Sequence, residues 1–413
     1  MNLQLTAPHQ PLTASIALPQ SKSITNRALV IAALCGSACH VIKPALCDDT
    51  DAIAQALSRH ADGGTVDVGP AGTAMRFLTA YYATRPGATV TLDGNERMRR
   101  RPIAPLVDAL RSMGACIDYK GEEGFPPLHI TGTKMRGRDI DMDGSVSSQF
   151  ISAVMMILPA IGGGALHLAG DIVSAPYIDM TAAVMTAMGA SVDVTSNLIV
   201  VGNRYAGGSI TVEADWSAAA PWYALACLMR PARYTLQGLT PNSIQGDSQL
   251  AQLAARLGIA TRFTPEGAVL DGSGFVGCCC SSFADMTATP DLAMNWAVLL
   301  CLLERSFRMT GVRTLRHKES DRIQALREGL AQLGYVLKIE GEDTVSWHGE
   351  RCIVTRQPPV IDTRGDHRVA LAFAPAAVRH PGLIITDADV VNKSYPAFWK
   401  QLAEAGFSVK ATH

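Results

Sequence analysis

Residues 106–119 read LVDALRSMGACIDY, and residues 181–194 read TAAVMTAMGASVDV. In each, an apolar stripe at helical spacing runs into a glycine, and a strand-like stretch follows. The pattern returns as LAQLAARLGIATRF at 250–263, LREGLAQLGYVLKI at 326–339 and FWKQLAEAGFSVKA at 398–411. Its glycines, Gly114, Gly189, Gly258, Gly334 and Gly406, are 75, 69, 76 and 72 residues apart. Glycine suits a helix that must end in a left-handed cap before the chain turns into a strand. A looser copy, DAIAQALSRHADGGTVDV at 51–68, carries Gly63 and Gly64 and brings the total to six units.

Working outward, each unit holds a second, more apolar helix, beginning near Lys22, Gly72, Ser147, Asp215, Asp291 and Asp366. Ser, Thr, Gly or Asp precede the apolar runs, as helix N-caps should. Pro102, Pro176 and Pro396 stand where a first helical turn favours proline. A step of 69 to 76 residues is too long for a thin solenoid. The units therefore predict an α/β protein of two globular domains, three units each, with the crossover between residues 212 and 215. The opening strand, about residues 1–14, fits either half.

The 413 residues are 48% hydrophobic and 18% charged, enough apolar surface to exclude a disordered chain. With 36 Lys and Arg against 37 Asp and Glu, the net charge is -1. That balance lacks the cationic field of a nucleic-acid or anionic-membrane binder, so any anion site must be local. The N-terminus shows no secretory pattern, and the most apolar stretches are too short or are cut by Pro159 and by Gly162, Gly163 and Gly164. The ten cysteines form no regular framework and are expected to be reduced, in a cytoplasmic protein. Cys35 and Cys39, four apart on the first helix, read as small core residues, and Cys278, Cys279 and Cys280 have no second cysteine pair or histidine cluster to complete a metal site. No H-E-x-x-H or P-loop occurs, and no metal or organic cofactor is expected.

Helix N-termini expose unpaired N–H groups and a partial positive charge, so polar helix starts are anion sites in the making. The first start carries Lys22, Ser23 and Arg27, with Ser23 and Arg27 on one face. The second offers Gly72 and Thr73, with Arg76 one turn on, then Arg97, Arg99, Arg100 and Arg101. Of that run Arg97 is the expected ligand and most of the rest a solvated face. The third gives the neutral donors Ser147, Ser148 and Gln149 after Asp143-Gly144, then Ser174 and Tyr177 around Pro176. Further on come Asp291, then Lys318, Glu319 and Arg322 within HKESDR, then Arg364, Asp366, His367 and Arg368, then Lys393. Lys318 and Arg322 are expected on one helical turn, repelling each other unless an anion intervenes. So many cations in a chain of net charge -1 favour a small polyanionic ligand. Asp291 and Glu319, acids among the cations, are the candidates for proton transfer.

LPQSKSITNRALVIAAL, AGTAMRFL, ERMRRRPI, DGSVSSQF, GDIVSAPYID, NSIQGD, DMTATPD, RHKESDR, GDHRVA and NKSYPAFW, in this order over residues 18–399, closely resemble the 5-enolpyruvylshikimate-3-phosphate synthases. The resemblance implies an inside-out α/β barrel of two domains, each of three βαβαββ units. One domain is residues 15–213 and the other residues 1–14 plus 214–413, with the active site in the cleft between them. It implies transfer of the enolpyruvyl group of phosphoenolpyruvate to the 5-hydroxyl of shikimate 3-phosphate, with release of phosphate. By motif, Lys22, Ser23, Arg27, Ser147, Ser148, Gln149, Ser174, Tyr177, Asp291 and Lys318 would hold shikimate 3-phosphate. Lys22, Gly72, Arg97, Gln149, Arg322, Arg368 and Lys393 would hold phosphoenolpyruvate, with Asp291 and Glu319 moving protons and Lys22 assisting.

Three positions depart from the family pattern: Pro70 for Asn, Phe77 for Pro after Arg76, and Thr314 for an Asn credited with shikimate phosphate binding. The partners expected are the two small-molecule substrates alone, on a monomer, with no nucleic acid and no membrane. Two other readings use the same scaffold. One is the sister enolpyruvyl transferase acting on UDP-N-acetylglucosamine, whose reactive Cys is missing from residues 93–102 here. The other is a polyanion-binding protein without turnover.

Overall fold

The structure is a computed structural model describing residues 1–10, 13–59, 62–273, 282–354 and 357–412. The run Cys278, Cys279 and Cys280 lies outside the described residues. Twelve α-helices form among those residues: α1 (Lys22–Cys35), α2 (Asp48–Ser58), α3 (Gly72–Ala83), α4 (Ala104–Ser112), α5 (Ser148–Ile161), α6 (Ala175–Ala187), α7 (Trp216–Leu228), α8 (Leu250–Arg256), α9 (Ala293–Leu302), α10 (Arg322–Gln332), α11 (His367–Phe373) and α12 (Phe398–Glu404). The even-numbered helices from α4 to α12 carry the repeated motif. Their five cap glycines have φ between 79° and 96°, a conformation that penalises any side chain.

The strands form five four-stranded sheets and one two-stranded sheet among the described residues. In one, Asp62–Asp67 and Thr89–Asp93 run parallel across α3, and the chain returns through α4 as the antiparallel pair Cys116–Tyr119 and Leu128–Thr131. That is a βαβαββ unit, and the sheets opening with Ile140–Asp143 and with Ser282–Asp285 repeat its order. Two further sheets draw a strand from the start of the chain. Asn2–Thr6 pairs antiparallel with Leu383–Ile385 and Ser408–Thr412, while Thr13–Ala17 runs parallel to Arg233–Gln237. The two-stranded sheet pairs Cys39–Ile42 with Gly208–Thr211.

Two compact units result, Met1–Pro19 with Glu213–His413, and Gln20–Val212. The first boundary falls after Pro19 rather than after residue 14, because Thr13–Ala17 is hydrogen-bonded along its length to Arg233–Gln237. In the Gln20–Val212 unit α1, α3, α5 and α6 pack on one another; in the other unit α7, α9 and α11 do so. α7, α9 and α11 are covered on nearly every side, α9 and α11 to the point that each of their residues is buried.

Two local expectations are corrected. Cys35 and Cys39 are not neighbours on a helix face: α1 ends at Gly36, whose φ of 73° breaks it, and the two cysteines form a disulfide across Cα atoms 6.0 Å apart. They are therefore neither core thiols nor reduced. HKESDR is not one helical turn either, since Arg313–His317 is a 3-10 turn, Lys318 is extended, and α10 starts at Arg322 behind its cap Asp321. No helix among the described residues is long and apolar enough to cross a membrane.

Candidate functional site

In the Gln20–Val212 unit, α1 presents Lys22 on its first turn, with Nζ 2.9 Å from Asp49 Oδ2 on α2. The Asp49 side chain is 3% exposed. Arg27, one turn further along α1, is buried and donates to Thr181 Oγ1 on α6 at 2.7 Å and to Ser152 Oγ on α5 at 3.2 Å. Ser147 caps α5, its Oγ accepting from the Gln149 amide at 3.3 Å, and Gln149 Nε2 reaches Thr73 Oγ1 at the start of α3 at 3.5 Å. Ser148 is buried on the first turn of α5. Ser174 is buried with φ 58° and ψ 38°, a left-handed conformation that costs a non-glycine residue on the order of 1–3 kcal/mol. Tyr177 follows on the first turn of α6.

The arginine run divides sharply. Arg97 is exposed, Arg99 pairs with Asp93, and Arg100 pairs with Glu96 on the surface. Arg101 is buried, and its guanidinium lies against the first residue of α3: a Cβ added to Gly72 would stand 2.9 Å from Arg101 Cζ. A side chain at residue 72 would have to displace the Arg101 guanidinium. Arg76 braces the same loop, donating to Pro102 O at 3.1 Å and to Met98 Sδ at 3.1 Å. The reading of the run as mostly solvated thus holds for Arg99 and Arg100, while Arg101 is buried beside Gly72 and Arg97, the expected ligand, is exposed.

The other unit gathers its charges round Arg322, which is 2% exposed at the start of α10. Its Nε and Nη2 bind Asp366 at 2.8 and 3.2 Å, Nη1 binds Asp291 Oδ1 at 2.9 Å, and Nη2 also binds Glu319 Oε2 at 2.8 Å. Asp366 is fully buried, caps α11 through the Arg368 amide, and accepts from Ser320 Oγ at 3.0 Å. Lys318 Nζ stands 3.3 Å from Asp291 Oδ1, Arg368 Nη2 3.4 Å from Asp291 Oδ2, and Lys393 Nζ 2.9 Å from Glu319 Oε1. The anion expected between Lys318 and Arg322 is therefore the protein's own Asp291.

Burial works against the Asp291 carboxylate, but Lys318, Arg322 and Arg368 overcome it and hold the group far below the usual carboxylate range. Burial also opposes the Arg322 cation, and Asp366, Glu319 and Asp291 together raise its pKa. Asp247 behaves in the opposite way. Burial pushes it up to about 6 against the pull of Arg368, with Asp291 and Asp215 adding to the rise. Buried acids beyond Asp291 and Glu319 thus stand near these helix starts. Asp49, Asp247 and Asp366 come from first turns and turn segments, where acids are ordinary.

Each unit therefore presents a set of lysines, arginines and hydroxyls at helix starts, closed by a few buried carboxylates. That is the equipment of an enzyme that handles small polyanions and moves protons among them. Comparison with known proteins is specific. The sequence profile of EPSP synthase (3-phosphoshikimate 1-carboxyvinyltransferase) matches residues 6–62 and 58–402. A 3-phosphoshikimate 1-carboxyvinyltransferase of Bacteroides fragilis strain YCH46 is 45% identical over 413 residues, covering 99% of both chains. One from Methanospirillum hungatei is 35% identical, over 95% of this chain and 96% of its own. The solved EPSP synthase of Acinetobacter baumannii superposes with a TM-score of 0.75 at 22% identity, over 99% of this chain and 100% of that one, a likeness of fold. The chain belongs to the EPSP synthase family.

Proposed function

We propose that the protein transfers the enolpyruvyl group of phosphoenolpyruvate to the 5-hydroxyl of shikimate 3-phosphate and releases phosphate. The family membership supports this, and so does one arrangement above all: Asp291 gripped by Lys318, Arg322 and Arg368. The acceptor hydroxyl gives up its proton and its oxygen attacks C2 of phosphoenolpyruvate while C3 gains a proton, giving a tetrahedral ketal phosphate. That intermediate loses a proton from C3 as the C2–O bond to phosphate breaks. The step needs cations to stabilise the departing phosphate and carboxylates to relay two protons, and the cluster holds both types within hydrogen-bonding distance.

In this reading Ser23, Arg27, Ser147, Ser148, Gln149, Ser174 and Tyr177 hold shikimate 3-phosphate, with Asp291 and Lys318. Lys22, Gly72, Gln149, Arg322, Arg368 and Lys393 hold phosphoenolpyruvate, and Arg101 takes the part first given to Arg97. Asp291 and Glu319 transfer protons with help from Lys22, and no cofactor takes part. The reading includes a cytoplasmic monomer whose partners are these two small molecules.

Phosphate release by the purified protein tests it. Release that needs both substrates and is lost in Asp291→Ala is the expected result. Release with UDP-N-acetylglucosamine in place of shikimate 3-phosphate, or none with either acceptor, would overturn it.

A further inference from the structure

Arg27 is a buried cation. Arg322, equally buried at 2% exposure, is ringed by three carboxylates, whereas Arg27 has no ion pair among the described residues. Its bonds run to neutral oxygens: Thr181 Oγ1, Ser152 Oγ, Ser23 O and Tyr177 O. Those four acceptors serve a guanidinium that carries five N–H donors. Burial pushes its pKa down to about 10, opposed by Tyr177.

Two aromatic faces make up part of what burial removes. Arg27 Cζ lies 5.3 Å from the ring centroid of Phe77 and 5.7 Å from that of Tyr177. Phe77 is wholly buried on α3, and its ring can offer Arg27 only packing and the negative face of its π system. A carboxylate in its place would neutralise Arg27 and compete with any incoming anion. An aliphatic residue would fill the space and offer no field. The aromatic ring stabilises the charge and leaves it available.

We propose that Phe77 is a positioning residue for shikimate 3-phosphate, acting through Arg27: its ring keeps the guanidinium charged and oriented on α1 so that it can take the anionic acceptor. This rests on the reaction proposed above, and the two can fail separately. Phosphate release by the wild type tests the reaction, and calorimetric titration of shikimate 3-phosphate alone tests the positioning role. Phe77→Leu is expected to weaken that binding by about 3- to 30-fold, the range for losing a desolvated cation–π contact. Phe77→Tyr, which keeps the ring, should stay within about twofold of wild type, and the KM for phosphoenolpyruvate should hardly move in either variant.

Unchanged binding in Phe77→Leu with a lower melting temperature would overturn the proposal. So would equal losses for both substrates, since α3 also begins with Gly72 and a displaced helix would disturb both. Should Phe77→Leu not fold, Phe77→Met, another ringless side chain of similar volume, is titrated with the same two outcomes. A wild type that binds shikimate 3-phosphate with this dependence yet releases no phosphate would sink the reaction and leave the positioning role standing. A wild type that does not bind it would sink both.

Discussion

Lys22 Nζ stands 2.9 Å from Asp49 Oδ2, and with side chains 13% and 3% exposed the two form a largely desolvated pair between the first turns of α1 and α2. Lys22 is thus both a candidate for the chemistry and the counter-ion of a buried carboxylate. Truncating it does two things at once. Lys22→Ala should lower kcat/KM by about 10- to 100-fold or more, the worth of a charge-assisted hydrogen bond in the transition state. It should also lower stability by about 1–3 kcal/mol, because Asp49 loses that partner. Adding Asp49→Asn should recover stability in urea unfolding and not turnover. Recovery of both would remove Lys22 from the chemistry.

Arg322 gives a different expectation, since it joins Asp291, Glu319 and Asp366. Arg322→Ala leaves three carboxylates facing one another in a water-poor place and should cost about 3–5 kcal/mol in denaturant unfolding. Arg322→Lys cannot make the forked contacts and should recover only part of that loss. A stability change below about 1 kcal/mol in the alanine variant would show that the cluster does not depend on its centre.

Arg101 and Arg97 can be compared directly. Arg101 is buried against Gly72 and Arg97 is exposed. Arg101→Ala should raise the KM for phosphoenolpyruvate about tenfold or more, whereas Arg97→Ala should stay within about threefold. The reverse order in steady-state kinetics would return the role to Arg97.

Asp247 makes stability depend on pH. Its carboxyl is pushed up to about 6 by burial, from an ordinary value of 3.8. The folded protein therefore binds this proton more tightly than the unfolded chain, and stability falls as pH rises through roughly 4 to 6, by about 3 kcal/mol at most. Asp247→Asn removes that term, so its stability relative to wild type should grow across this window and level off above it. Asp291 has the opposite sign: its pKa is depressed, so its contribution is complete above about pH 4 and is lost on acidification. Parallel unfolding curves for wild type and Asp247→Asn from pH 4 to 7 would refute the assignment.

Much of this molecule was legible in its residues. The helix–glycine–strand signature announced α4, α6, α8, α10 and α12 because each ends at a glycine whose φ is positive. The polar residues before the apolar runs marked the starts of α1, α3, α5 and α11, and Asp366 does cap α11. The departures from the family pattern were legible as residues and not as contacts. Phe77 lies under Arg27, and Thr314 has a buried Oγ1 with no hydrogen-bond partner among the described residues.

The sequence by itself determined where most helices begin and end, though not the end of α1 or the start of α10, which of their faces are apolar, and which cations stand near their starts. Those properties depend on neighbours within about one or two helical turns, and a linear reading samples that range fully. Tertiary structure decided the partners. Arg322 meets Asp291 and Asp366 from 31 and 44 residues away, and Lys22 meets Asp49 from 27. It also separated Arg101 from the neighbouring arginines and drew the strand Thr13–Ala17 to Arg233–Gln237. The interaction of two charges depends on their distance and on the water left between them, and both are set only when the helices carrying them pack.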